Sequence, residues 1–61
     1  MNAEELITQA EFHVEWATNL RLMKAEKAAN QKLRKAVDLY MDAGEYEMAQ
    51  TCRMLITAEE V

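Results

Sequence analysis

Proline is absent from the 61 residues, glycine occurs once, at Gly44, and cysteine once, at Cys52. With so few helix breakers, only Gly44 marks a place where a helix must end. A lone cysteine excludes an internal disulfide and fits a reducing compartment, or a buried apolar role, better than a secreted scaffold. Histidine is as scarce: His13 stands alone, and no Glu-x-x-His pair exists to build a metal site inside a helical bundle. One glycine cannot form a phosphate-cradling loop. Apolar residues make up 51% of the chain, yet no apolar run exceeds a few residues, so no segment is long enough to span a bilayer. The opening residues, Met1-Asn2-Ala3-Glu4-Glu5, are acidic, with neither a positively charged region nor an apolar stretch. The expectation is a cytoplasmic chain without a signal peptide.

Good helix formers fill the remainder: Ala, Leu, Met, Glu, Gln and Lys run from end to end, which predicts an all-α fold in a single domain over residues 1–61. Net charge is −4, but its distribution is more informative. Acid dominates residues 1–20, through Glu4, Glu5, Glu11 and Glu15. Six of the seven basic residues fall between 21 and 35, and acid returns after 36. A chain of this length buries only about 60% of the surface it exposes when unfolded, so it gains much from a partner or a second copy.

Placing residues at about 100° intervals turns the pattern into faces. Between 22 and 43, Leu22, Ala29, Leu33, Ala36, Val37 and Tyr40 share one stripe, opposite Arg21, Lys24, Lys32 and Lys35. Gly44 is placed to end this helix in the left-handed conformation. Met48, Ala49, Cys52, Leu55 and Ile56 then recur at helical spacing to about residue 60, and the tight connection makes an antiparallel hairpin. Near the start, Leu6, Ile7, Ala10, Val14 and Ala17 share a face, with Asn2 as N-cap and Glu4 and Glu5 in the first turn. On one continuous helix this face points more than a third of a turn away from the 22–43 stripe. The lack of Gly or Pro between 2 and 43 favours a long helix over about 3–43 followed by the short one, paired as a homodimeric bundle. The alternative is a three-helix bundle, broken near Thr18-Asn19 or Ala29-Asn30.

Tyr40, Gly44-Glu45-Tyr46 and Ala49 follow the aromatic, glycine, aromatic and small-residue spacing of a tetratricopeptide repeat. Over residues 33–58 the chain resembles one helical hairpin of that family. The resemblance implies a turn opened by Gly44, Tyr46 packed back on the first helix, and close helix approach at Ala49. Val37, Arg53 and Ile56 stand where the family prefers a small residue, an aromatic and an alanine. No second repeat exists, and such solenoids need about three, so the resemblance implies a hairpin and no more.

Several residues are candidates for chemistry. His13 lies between Glu11 and Glu15, but on a helix it projects off their common line, which favours a satisfied or partly exposed histidine over a metal or proton-transfer site. Arg53 projects about 100° from Cys52, so Cys52 lacks an activating neighbour and reads as a buried thiol. No metal and no cofactor is expected. Phe12, Trp16, Met23 and Met41 align beside the core stripe on a continuous helix and form the candidate partner-binding strip; equally, they could be the remainder of an oligomer core. The basic stripe Arg21, Lys24, Lys32 and Lys35 could track phosphates, although the flanking acid opposes a polyanion and no aromatic interleaves with the lysines.

The leading expectation is a small non-enzymatic interaction protein that binds and modulates a larger protein partner; the adaptor or inhibitor type, as among phage and bacterial small proteins, follows from chain size alone and from no residue in the sequence. Two alternatives remain: a nucleic-acid-associated regulator using residues 21–35, or a binder of a small anionic ligand at a subunit interface through Arg21, Lys24 and the aromatics.

Overall fold

The computed structural model describes residues 2–58 and contains three helices, with no strand among the described residues. Helix α1 spans Ala3–Leu22, α2 spans Glu26–Asp42 and α3 spans Tyr46–Leu55. Asn2 caps α1 as its side chain suggested, Oδ1 accepting from the Glu5 N–H at 2.9 Å. Glu4 and Glu5 then sit where the helix dipole favours negative charge.

The stretch from 3 to 43 is therefore two helices, and it breaks at neither of the two places the sequence offered. Thr18, Asn19, Ala29 and Asn30 are all helical. The break falls at Met23-Lys24-Ala25, where Lys24 takes φ 63°. Lys24 N–H donates to Arg21 O at 2.9 Å and Ala25 N–H to Leu20 O at 2.9 Å, the pair of bonds that closes a helix through a left-handed residue. The same frame recurs at Gly44, with φ 78°, where Gly44 N–H donates to Met41 O at 3.0 Å and Glu45 N–H to Tyr40 O at 2.8 Å. The break removes the phase mismatch noted above, because α1 can now rotate its own stripe inward.

Helix α2 is the middle of the molecule. Both α1 and α3 pack on it, while α1 and α3 touch each other only weakly. Much of the contact runs through alanine: Ala10 and Ala17 on α1, Ala29 and Ala36 on α2, and Ala49 on α3 are all buried. Residues seven apart stay on one helix face, so each of the first two pairs forms a seam of small side chains that lets the backbones approach closely. Leu33, Val37, Leu39, Tyr40 and Cys52 supply the larger core groups.

Three further expectations are corrected. Leu22, placed on the core stripe, is 78% exposed because α1 ends there and the turn carries it outward. Tyr46 does not pack back on the preceding helix but projects into solvent in the first turn of α3, whereas Ala49 is fully buried. Helix α3 stops at Leu55 rather than near 60, and Ile56 is extended at φ −73°, ψ 125°; Glu59 and Glu60 lie outside the described residues.

Candidate interaction surface and polar clasp

Phe12 and Trp16 stand four residues apart on the outward face of α1, which brings their side chains together. They are 63% and 43% exposed. Their rings meet edge to face, centroids 6.1 Å apart at 80°, a favoured aromatic geometry. His13 lies parallel to Trp16 at 6.2 Å and edge-on to Phe12 at 6.4 Å. From α2, Lys32 places its ammonium 3.9 Å from the centre of the Trp16 ring, a cation–π contact. A shallow depression lined by Phe12, Glu15, Trp16 and Asn19 continues this surface along α1.

His13 Nδ1 is buried without a hydrogen-bond partner among the described residues. Burial, and then the charges of Lys32 and Lys35, hold the imidazole pKa below its ordinary value of 6.5. It is therefore a neutral ring packed under Trp16, placed to stack rather than to relay protons. Burial raises the Cys52 thiol above its ordinary value, which keeps it protonated and slow to react. Burial first, then Cys52, Glu11 and Glu45, raises the Tyr40 phenol. Among the described residues no three His, Cys, Asp or Glu side chains are grouped to hold a metal ion, and no helix is long and apolar enough to cross a membrane.

The four strip residues are not brought together as a set. Met23 follows the last residue of α1, and Met41 lies in the last turn of α2. Because α2 doubles back along α1, they sit near opposite ends of the pair, separated by about 25 Å of helix. The basic stripe is divided as well. Lys32 lies over Trp16, Lys24 forms the corner, and Arg21 turns to the other side of α1.

Arg21 belongs to a cluster that sequence reasoning did not find. Its Nη1 donates to Leu55 O at 2.7 Å and its Nη2 to Asn30 Oδ1 at 2.9 Å. Its Nε lies 3.3 Å from Glu26 Oε2, an ion pair without hydrogen-bond alignment. Asn30, fully buried, donates from Nδ2 to Thr57 O at 2.8 Å, while its Oδ1 accepts from Thr57 N–H at 3.1 Å. Thr57 Oγ1 donates to Glu26 Oε2 at 2.9 Å. The end of α1, the start of α2 and the segment after α3 are thus clasped through four side chains. The available signal was a polar residue, Asn30, beside Ala29 and Leu33 on an otherwise apolar stripe.

No known protein family matches the chain, no curated protein matches it, and no solved structure matches it.

Proposed function

We propose that the protein is a non-enzymatic interaction module that binds a larger protein partner through the α1 face centred on Phe12 and Trp16. The supporting observation is the exposed, edge-to-face aromatic pair with the Lys32 ammonium over its larger ring. Aromatics that are rigid before binding lose little conformational freedom on contact, and residues of this kind commonly dominate interface energetics. The parallel His13 ring and the Lys32 ammonium over the indole face favour one orientation of Trp16. In this reading the chain itself pairs as a homodimer, because so short a chain gains stability from a second copy, and the larger partner takes the α1 face. The anionic-ligand reading loses ground because Arg21 already engages Glu26, Asn30 and Leu55.

The test compares Trp16→Ala with Lys32→Ala in an affinity capture from the native host, with sedimentation equilibrium and circular dichroism run on the same samples. Trp16→Ala should lose about 2 kcal/mol or more of partner affinity, and Lys32→Ala clearly less. If Trp16→Ala keeps its helix content and assembly state and binds normally, the surface is misassigned. The opposite ranking, together with a steep loss of affinity on adding salt, would instead indicate nucleic acid.

A further inference from the structure

The segment after α3 is held as a bound peptide would be held. Ile56 is extended and packs against the small apolar cluster of Ala17, Ala29 and Leu33. One residue on, the Asn30 carboxamide pairs with both the N–H and the C=O of Thr57, the two-bond pattern by which one strand pairs with another. Those bonds go to backbone, so they require an extended chain and not a particular sequence. Two contacts add selectivity: the apolar seat takes a branched side chain, and Glu26 accepts from the Thr57 hydroxyl. Thr57 and Ala58 are otherwise exposed. Thr57 and Ala58 border an open depression whose other walls are Lys24, Ala25, Glu26, Lys27 and Ala28.

We propose that Arg21, Glu26 and Asn30, with the apolar seat of Ile56, form a binding site for an extended protein segment carrying a branched apolar residue followed by threonine or serine. The chain's own residues 56–58 fill this site, and a segment of the same chemistry from another polypeptide takes it when the tail leaves. Asn30 supports the exchange because its bonds are equally good with any extended backbone. Ile56 contributes the main apolar contact of the tail, and the remaining contacts of residues 55–57 are polar bonds that a competing segment can replace. The site lies at the end of the molecule, on other residues than Phe12 and Trp16, and stands or falls independently of the function proposed above.

Thr57→Pro in the full chain removes the N–H that Asn30 accepts and the hydroxyl that Glu26 accepts. Ile56 is already extended, as a residue preceding proline prefers, so the helices are undisturbed. A labelled, end-blocked peptide of residues 53–58 is titrated into both chains and followed by fluorescence anisotropy. Because a competing tail lowers apparent affinity by the fraction of open sites, the variant should bind roughly tenfold more tightly than the parent. The same peptide with proline at the threonine position should not bind. Equal binding by the folded variant and the parent, or equal binding of the proline peptide, would overturn the proposal. Should Thr57→Pro lose helix content, the parent chain still decides the matter through the Asn30 side-chain amide resonances. At peptide concentrations of several millimolar, on the order of the effective concentration of a tethered tail, those resonances should shift with the threonine peptide and stay fixed with the proline peptide. No shift with either peptide would refute the site.

Discussion

The corner between α1 and α2 and the corner between α2 and α3 use the same hydrogen-bond frame, displaced by 20 residues along the chain. At the second corner the left-handed position is Gly44, and a Cβ placed there would meet nothing within 4 Å. Glycine is present for its backbone freedom and not for space. At the first corner the same position is Lys24, which carries a Cβ and pays about 1 kcal/mol for the left-handed conformation. The first corner is also the one that is braced. Arg21 and Glu26 face each other across it, and both reach the tail clasp through Asn30 and Thr57. A strained turn persists where its surroundings over-determine it, and a relaxed turn needs no such support. Neither α2 nor α3 receives a side-chain cap at its start, Ala25 and Glu45 making no such bond, so the difference lies in the left-handed residue and the brace.

The largest effect should come from removing the brace. Asn30→Ala leaves the Thr57 amide and carbonyl and one Arg21 donor without their partner, and should cost about 2 kcal/mol in denaturant unfolding. A change of a few tenths would mean that the brace contributes nothing and that the two corners differ only in composition. Next comes Gly44→Val, which forces a β-branched residue into the left-handed region and should cost somewhat more than about 1 kcal/mol. A neutral result would break the equivalence of the two corners. Lys24→Gly should act in the opposite direction, raising the unfolding midpoint by an amount equivalent to about 1 kcal/mol; destabilisation would show that Lys24 makes a contact worth more than its strain.

The smallest effect concerns pH and the α1–α2 side alone. His13 titrates below 6.5 in the folded chain, so as pH falls through about 6.5 the unfolded chain takes up a proton that the folded chain refuses. Stability from this group is complete above that value and declines below it, until the folded-state pKa is reached. His13→Gln should flatten this decline when midpoints near pH 7 and near pH 5.5 are compared by thermal unfolding. An unchanged slope would assign the acid sensitivity to other groups.

The all-α class, the N-cap at Asn2, the helix end at Gly44 and the buried positions of Ala49 and Cys52 were legible because each rests on local chemistry: propensity, capping and spacing. The first corner was hidden because its two usual markers are missing. Lys24 occupies the place of a glycine, and Ala25 starts α2 without a capping side chain. Its trace in the sequence was the phase slip between the stripes of residues 6–17 and 22–43, which a single straight helix could not reconcile. The clasp was less accessible still. Its partners lie up to 34 positions apart, and no period along the chain connects Arg21, Asn30 and Thr57. The exposed aromatic pair was visible as two residues four apart, but the ammonium over Trp16 required knowing how α2 returns.

The weak contact between α1 and α3 has a kinetic consequence. Each helix leans on its neighbour in sequence, so most of the native structure forms by closing short loops, which places the chain among fast folders. The clasp bonds Arg21–Leu55, Thr57–Glu26 and Asn30–Thr57 close over longer stretches, joining residues 34, 31 and 27 apart. Opening of α3 alone disrupts those bonds and one interface, while α1 and α2 remain paired. Native-state amide exchange should therefore resolve α3 as a separate unit that opens before the rest. Asn30→Ala should widen that gap, because the clasp adds to the α2 interface in holding the third helix closed.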